Sequence, residues 1–180
     1  MAYDTSDTPA SGVGIPRNRG TFSFLGVALA PRSRGTVRLS SADPRAPLLI
    51  DPAYLSDAAD FAPLRAAVRL SLRLGDAMRA RGYALADAAR PASEADADVD
   101  AWIRRANRTT YHYASTCRMG ARADAGWDGG AVVDARLRVY GVARLRVADS
   151  SVFPWVPRTH TQAPTVAVAE KCADMILKGM

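Results

Sequence analysis

Between residues 59 and 80 the chain keeps a helical period for about six turns. Phe61, Leu64, Val68, Leu72 and Met78 fall near one face, while Arg65, Arg69 and Arg73 recur every fourth residue on another. A helix this long has to lay its apolar stripe against other elements, so a packed domain is required around it. The arginine face reads as solvated, with an anionic ligand as the alternative.

The elements around this helix follow from local signals. Thr21 to Ala30 is rich in Phe, Leu and Val, and 35–40 alternates apolar with polar, which predicts two strands joined by the turn 31–35. Leu48 to Ile50 is a third apolar run, closed by Asp51-Pro52. Ser93 is placed to cap a second helix, with Glu94, Asp96 and Asp98 at its start and Arg104 and Arg105 at its end, an order that complements the helix dipole. Trp102 and Ile103 are expected to pack inward. Gly120, Gly126, Gly129 and Gly130 punctuate a loop-rich stretch, after which 131–133, 137–140 and 145–148 read as short strands. A last helix is expected from Pro164 to about Lys178, proline being tolerated in the first turn.

Composition limits the function classes. Net charge is +6, from 24 Lys plus Arg against 18 Asp plus Glu, but the arginines are dispersed among acids and no basic run interleaves aromatics. That pattern suits ordinary solvated surface, and no nucleic-acid partner is expected. Cys117 and Cys172 form no Cys-x-x-Cys pair and call for neither a disulfide framework nor a metal. The first 19 residues are polar and read as a flexible lead-in without the apolar core of a signal peptide. With no stretch long enough to span a bilayer, a soluble cytoplasmic chain is the expectation.

Only two histidines occur, His112 in Tyr111-His-Tyr-Ala-Ser-Thr-Cys-Arg-Met-Gly120 and His160 in Thr159-His-Thr-Gln162, just before the last helix. Histidine titrates nearest neutral pH, so a pair suits proton transfer. No third ligand sits at a zinc-like spacing, and no metal is expected. Cys117, five residues after His112, reads as packing and not as a nucleophile. Tyr111, Tyr113 and Trp155 flank these motifs; they suit an aromatic substrate pocket, and core packing explains each equally well. Asp149, closing 145–149, can cap the turn of Ser150 and Ser151.

From Pro31 onward the chain resembles the C-terminal part of the glucose-methanol-choline (GMC) family of FAD-dependent alcohol oxidoreductases. The matching runs are Pro31-Arg-Ser-Arg-Gly-Thr-Val-Arg-Leu39, Ser41-Ala-Asp-Pro44 and Ile50-Asp-Pro-Ala-Tyr-Leu-Ser-Asp57. They continue through Tyr111 to Gly120, Val132-Val-Asp134 and Leu137 to Pro154, and end in Ala163-Pro-Thr165 and Ala169 to Ile176. The family's N-terminal Gly-x-Gly-x-x-Gly turn, which cradles the FAD pyrophosphate, has no counterpart. Gly12-Val-Gly14 through Gly20 has the wrong spacing and a proline where the helix should start.

The resemblance implies an α+β fold. Residues 20–130 correspond to the substrate-binding domain, an antiparallel sheet with packed helices. Residues 131–180 correspond to a returning segment, whose strand and terminal helix complete an FAD-binding α/β domain. It implies FAD as cofactor and a small-molecule alcohol as substrate, with His112 as general base and His160 as its partner. The Thr159-His-Thr-Gln162 run brings the chain nearer the aryl-alcohol-oxidase-like members. Ala148 and Asp149 are placed near the phosphate-ribityl region, and Thr161 and Gln162 beside the N1 and C2 carbonyl edge of the flavin, where the free amides of a helix start favour negative charge. It further implies that the dinucleotide-binding half is missing, with a separate chain as one source of it, and that the isolated chain exposes an edge strand and an apolar helix face. The alternatives are a truncated non-catalytic remnant, a subunit of a split protein, or a GMC-type hydroxynitrile lyase.

Overall fold

The computed structural model describes residues 22–122 and 130–179. The lead-in 1–19, the Gly12–Gly20 stretch, Gly126 and Gly129 lie outside the described residues. The rest pack as two units, one made of 22–28 with 54–110, the other of 29–53 with 111–179.

The first unit is built on two helices, α1 (Phe61–Ala80) and α2 (Asp96–Ala106). A 3-10 turn, Ala58–Asp60, leads into α1, and Asp57 Oδ1 caps it by accepting the Ala59 N–H at 2.8 Å. α1 stops at a glycine. Gly82, at φ 89°, takes a left-handed conformation that lets its own N–H reach Arg79 O and the Tyr83 N–H reach Met78 O. The predicted apolar stripe is the buried one: Phe61 and Val68, with Leu64 and Leu72, pack on Val99, Trp102, Ile103 and Ala106 of α2. Removing a side chain the size of Trp102 from such a core costs about 3–5 kcal/mol.

Two expectations are corrected here. Ser93 does not cap α2: the cap position is Ala95, without a side-chain bond, and Ser93 Oγ instead accepts the Ala95 N–H and donates to Asp98 Oδ2. The serine organises the turn before the helix, while the acidic start and basic end of α2 stand as expected. The arginine face of α1 is not merely solvated. Arg65 donates twice to Asp100, at 2.6 Å each, and Arg69 Nη2 donates to Asp96 Oδ1 at 2.5 Å. The four-residue repeat of arginines on α1 thus matches the four-residue spacing of acids on α2. The Arg65 hydrogen bonds hold the Asp100 carboxyl below the usual aspartate range, as those from Arg69 do for Asp96.

The second unit carries the only named sheet among the described residues, β1 (Thr36–Arg38) against β2 (Leu49–Asp51), antiparallel, with Val37 opposite Ile50. The strand expected over Thr21–Ala30 is not formed in its described part. Pro31 has no N–H to give a ladder, and 35–40 pairs with the apolar run downstream of it. Gly35 runs against β2 so closely that a Cβ there would lie 2.7 Å from both Pro52 Cα and its carbonyl carbon, and nearer still to the Asp51 carbonyl oxygen.

The three strand-like pieces after residue 130 do pair, though only through single bridges, Val133 with Met119 and Val139, and Arg138 with Arg146. Positive φ at Leu137, Gly141 and Arg144 turns the chain every few residues and keeps ladders from lengthening. Their apolar residues Val133 and Leu137 join Val152 and Phe153 in a core closed by Cys172 and Met175 of α3 (Gln162–Leu177). Among the described residues no helix is long and apolar enough to cross a membrane.

Candidate functional site

The second unit brings the two histidines together across 48 positions. His112 Nε2 and His160 Nδ1 are 2.8 Å apart, with ring centroids at 4.9 Å and planes at 84°. One proton sits between them: whichever nitrogen carries it donates, and the other accepts. The tautomer of one ring therefore dictates that of the other.

Backbone hydrogen bonds hold the His112 loop in place. Ser115 N–H reaches Ser150 O, Cys117 N–H reaches Ser151 O at 2.9 Å, and Met119 N–H reaches Val152 O at 2.8 Å. Ser150 Oγ returns a bond to Tyr113 O. Loop 113–119 is thus laced to 150–152, the turn that precedes the His160 loop. Tyr111 and Ser115, on either side of His112, have φ of 61° and 73°, a region that non-glycine residues enter at a cost. Among the described residues neither Ser115 Oγ nor Arg118 Nε, both buried in this loop, has a hydrogen-bond partner. Cys117 is a half-buried free thiol.

His160 is positioned by the start of α3. Thr161 holds the cap position without a side-chain cap bond, and Pro164 stands in the first turn. Thr165 Oγ1 and N–H both return to Thr161 O. The opening amides of α3 are therefore not closed off by a side-chain cap, which leaves the positive end of the helix open to an anionic group beside His160 and Gln162. Asp149 is the cap of the Ser150–Val152 turn, its Oδ1 accepting the Ser151 N–H at 2.8 Å, and Ala148 beside it packs on the core.

The three aromatics are not core residues: Tyr111, Tyr113 and Trp155 are 78%, 62% and 65% exposed. What sequence reasoning missed is Arg34, whose guanidinium lies over the Trp155 ring, 5.5 Å from its centroid. A contact between residues 121 positions apart has no local pattern to announce it. An open cavity of about 560 Å3 lies elsewhere in this unit, lined by Met119, Asp134, Arg136 and Tyr140 among others, and neither histidine lines it.

Comparison with known proteins places this arrangement. Residues 31–169 match the family model described as GMC oxidoreductase, and the chain belongs to that family. It is 40% identical over 179 residues to an uncharacterized GMC-type oxidoreductase of Mycobacterium tuberculosis, covering 97% of this chain and 31% of that protein. It is 40% identical over 146 residues to the mitochondrial choline dehydrogenase of Mus musculus, covering 80% of this chain and 24% of that one. A solved fungal aryl-alcohol oxidase superposes with a TM-score of 0.67 at 33% identity, over 84% of this chain and 24% of its own. The chain thus spans less than a third of the length of these relatives. The family's members are FAD-dependent oxidoreductases, and the mixed helical and antiparallel architecture is theirs.

Proposed function

We propose that the chain is the C-terminal catalytic and substrate-binding portion of an FAD-dependent oxidoreductase acting on the CH–OH group of an alcohol. The observation that carries this reading is the 2.8 Å approach of His112 Nε2 to His160 Nδ1. FAD, when bound, supplies the hydride acceptor for the carbinol carbon. The protein's own residues handle the proton.

For His112 to act as base, its Nε2 must be unprotonated, so the shared proton resides on His160 Nδ1. A hydroxyl entering between the rings then donates to His112 Nε2 and accepts from His160 Nδ1–H. That needs the two nitrogens to part from 2.8 Å to roughly 4.5–5 Å, the span of two hydrogen bonds through one oxygen. The O–H proton passes to His112, which becomes imidazolium, while His160 stabilises the charge developing on oxygen as the C–H bond loses its hydride.

The residues present fit the cofactor. The uncapped start of α3 offers free amides to a negatively charged group, which supports Thr161 and Gln162 as the residues that would lie beside the N1 and C2 carbonyl edge of the flavin. Ala148 and Asp149, at the end of 145–149, suit the phosphate-ribityl portion. The dinucleotide-binding half, in the same polypeptide or as a second chain, is the partner this reading requires.

His112→Ala in the FAD-loaded protein is expected to slow anaerobic flavin reduction by alcohol about 10²–10⁴-fold, measured by loss of flavin absorbance in a stopped-flow instrument. Unchanged reduction rejects the base assignment. Absence of any flavin bleaching on adding alcohol favours the hydroxynitrile-lyase alternative.

A further inference from the structure

His112 stands on a loop whose neighbouring aromatic rings, Tyr111 and Tyr113, are exposed, and in which Tyr111 and Ser115 both take positive φ. Non-glycine residues stay in that conformation only where their surroundings over-determine it, so 111–115 has to be held from outside. One residue grips it on both sides of Ala114. Ser150 Oγ donates to Tyr113 O at 3.1 Å, and Ser150 O accepts the Ser115 N–H at 3.4 Å. Ser150 is itself fixed, because it opens the 3-10 turn that Asp149 caps and its carbonyl also accepts the Phe153 N–H at 3.3 Å. The other bonds from this loop to 150–152 start farther along, at Cys117 and Met119, and join main chain to main chain. The Ser150 hydroxyl is thus the side-chain group that ties the 150–152 turn to the residue following His112.

We infer that Ser150 is a positioning residue for proton abstraction: its hydroxyl fixes the Tyr113 carbonyl and, through the 112–113 peptide, aims the His112 ring at His160. This inference rests on His112 acting as the base. His112 Nε2 stays 2.8 Å from His160 Nδ1 only while its ring keeps that direction. Without the hydroxyl, the Tyr113 carbonyl turns to water and the longer of the two bonds, at 3.4 Å, is left to hold the segment. Loop 111–115 is then free to leave its left-handed conformation. The share of molecules with Nε2 in line for the hydroxyl proton falls, while the surface that binds the substrate is unaltered.

Ser150→Ala in the FAD-loaded protein is expected to slow anaerobic flavin reduction by benzyl alcohol about two- to tenfold, the effect of one net hydrogen bond on an equilibrium. The alcohol concentration giving half-maximal rate should not change. Rates are expressed per bound flavin, so that a loss of folded protein does not count. Ser150→Thr keeps the hydroxyl and should retain most of the rate. In a His112→Ala background, Ser150→Ala should have no further effect, because the group it aims is gone. Carbethoxylation of His112 by diethyl pyrocarbonate, followed by peptide mass spectrometry, reads the same release without turnover. It should quicken by a similar factor in Ser150→Ala and stay near the parent rate in Ser150→Thr. Parent-like reduction by Ser150→Ala overturns the inference while leaving the histidine reading intact, and so does an equal loss in both backgrounds. If His112→Ala itself reduces flavin at the parent rate, the histidine reading fails. Labelling then decides the role of Ser150 alone, and a labelling rate unchanged in Ser150→Ala overturns it.

Discussion

Gly35→Ala is the sharpest single-atom test of how the second unit is built. The added methyl would sit 2.7 Å from Pro52 Cα and carbonyl carbon and closer still to the Asp51 carbonyl oxygen. Ordinary contacts begin near 3.4 Å, so the backbone has to move by more than an ångström at the Asp51 oxygen and by most of one at Pro52. No flexible side chain is present to yield instead, because all three atoms are main chain. The register Thr36 with Asp51 begins one residue later, so the displacement falls on the first ladder pair. Overpacking of this kind costs about 1–3 kcal/mol. For a protein of this size or larger, that is a fall in Tm of roughly 2–4 °C per kcal/mol. Gly82→Ala is the control. Among the described residues nothing lies within 4 Å of its Cβ position, so the penalty there is that of the φ of 89°, of order 1 kcal/mol. Differential scanning fluorimetry on the flavin-loaded protein reads both, and amide exchange reports whether 36–38 and 49–51 open locally. If Gly35→Ala melts within 1 °C of the parent and leaves exchange in the hairpin unchanged, the close approach at Asp51 is wrong.

Other predictions concern charge and exposed surface. Asp100 and Asp96 have folded pKa values held below their unfolded values by Arg65 and Arg69, so their contribution is present above about pH 4 and is lost as pH falls through the folded values. Arg65→Gln should flatten the fall of Tm between pH 5 and pH 3; an unchanged slope would show that the pairing contributes nothing. Residues 1–180 produced alone should self-associate, because Leu49, Ile50, Val166, Ile176 and Leu177 are all more than half exposed. A monodisperse peak by light scattering with a single cooperative melt would contradict that.

How far the fold was legible depended on the distance over which each signal acts. α1 was legible because six turns of periodic residues carry their own evidence, and the acidic and basic ends of α2 likewise. The hairpin is not legible in the sequence because alternation reveals a strand but not its partner. Phe22 to Leu29 has strand-like composition, yet the partner of Val37 is Ile50, reached across a ten-residue connection. Arg65 and Arg69 look like a solvated face in the sequence because their acids lie 35 and 27 residues away. The histidines were legible as a pair through rarity and motif, whereas their 2.8 Å contact and the stacking of Arg34 on Trp155 are products of packing alone.

The lacing of 113–119 to 150–152 makes the two loops one heritable module. The hydrogen bonds between them run almost entirely through main-chain atoms, so either loop's side chains can vary while the braid persists. Transplanting only one loop into a homologue, however, would hand it a partner of mismatched contour and leave the imidazoles out of step. Recombination between relatives should therefore succeed when its crossovers fall before Tyr111 or after the start of α3, and fail when they fall between.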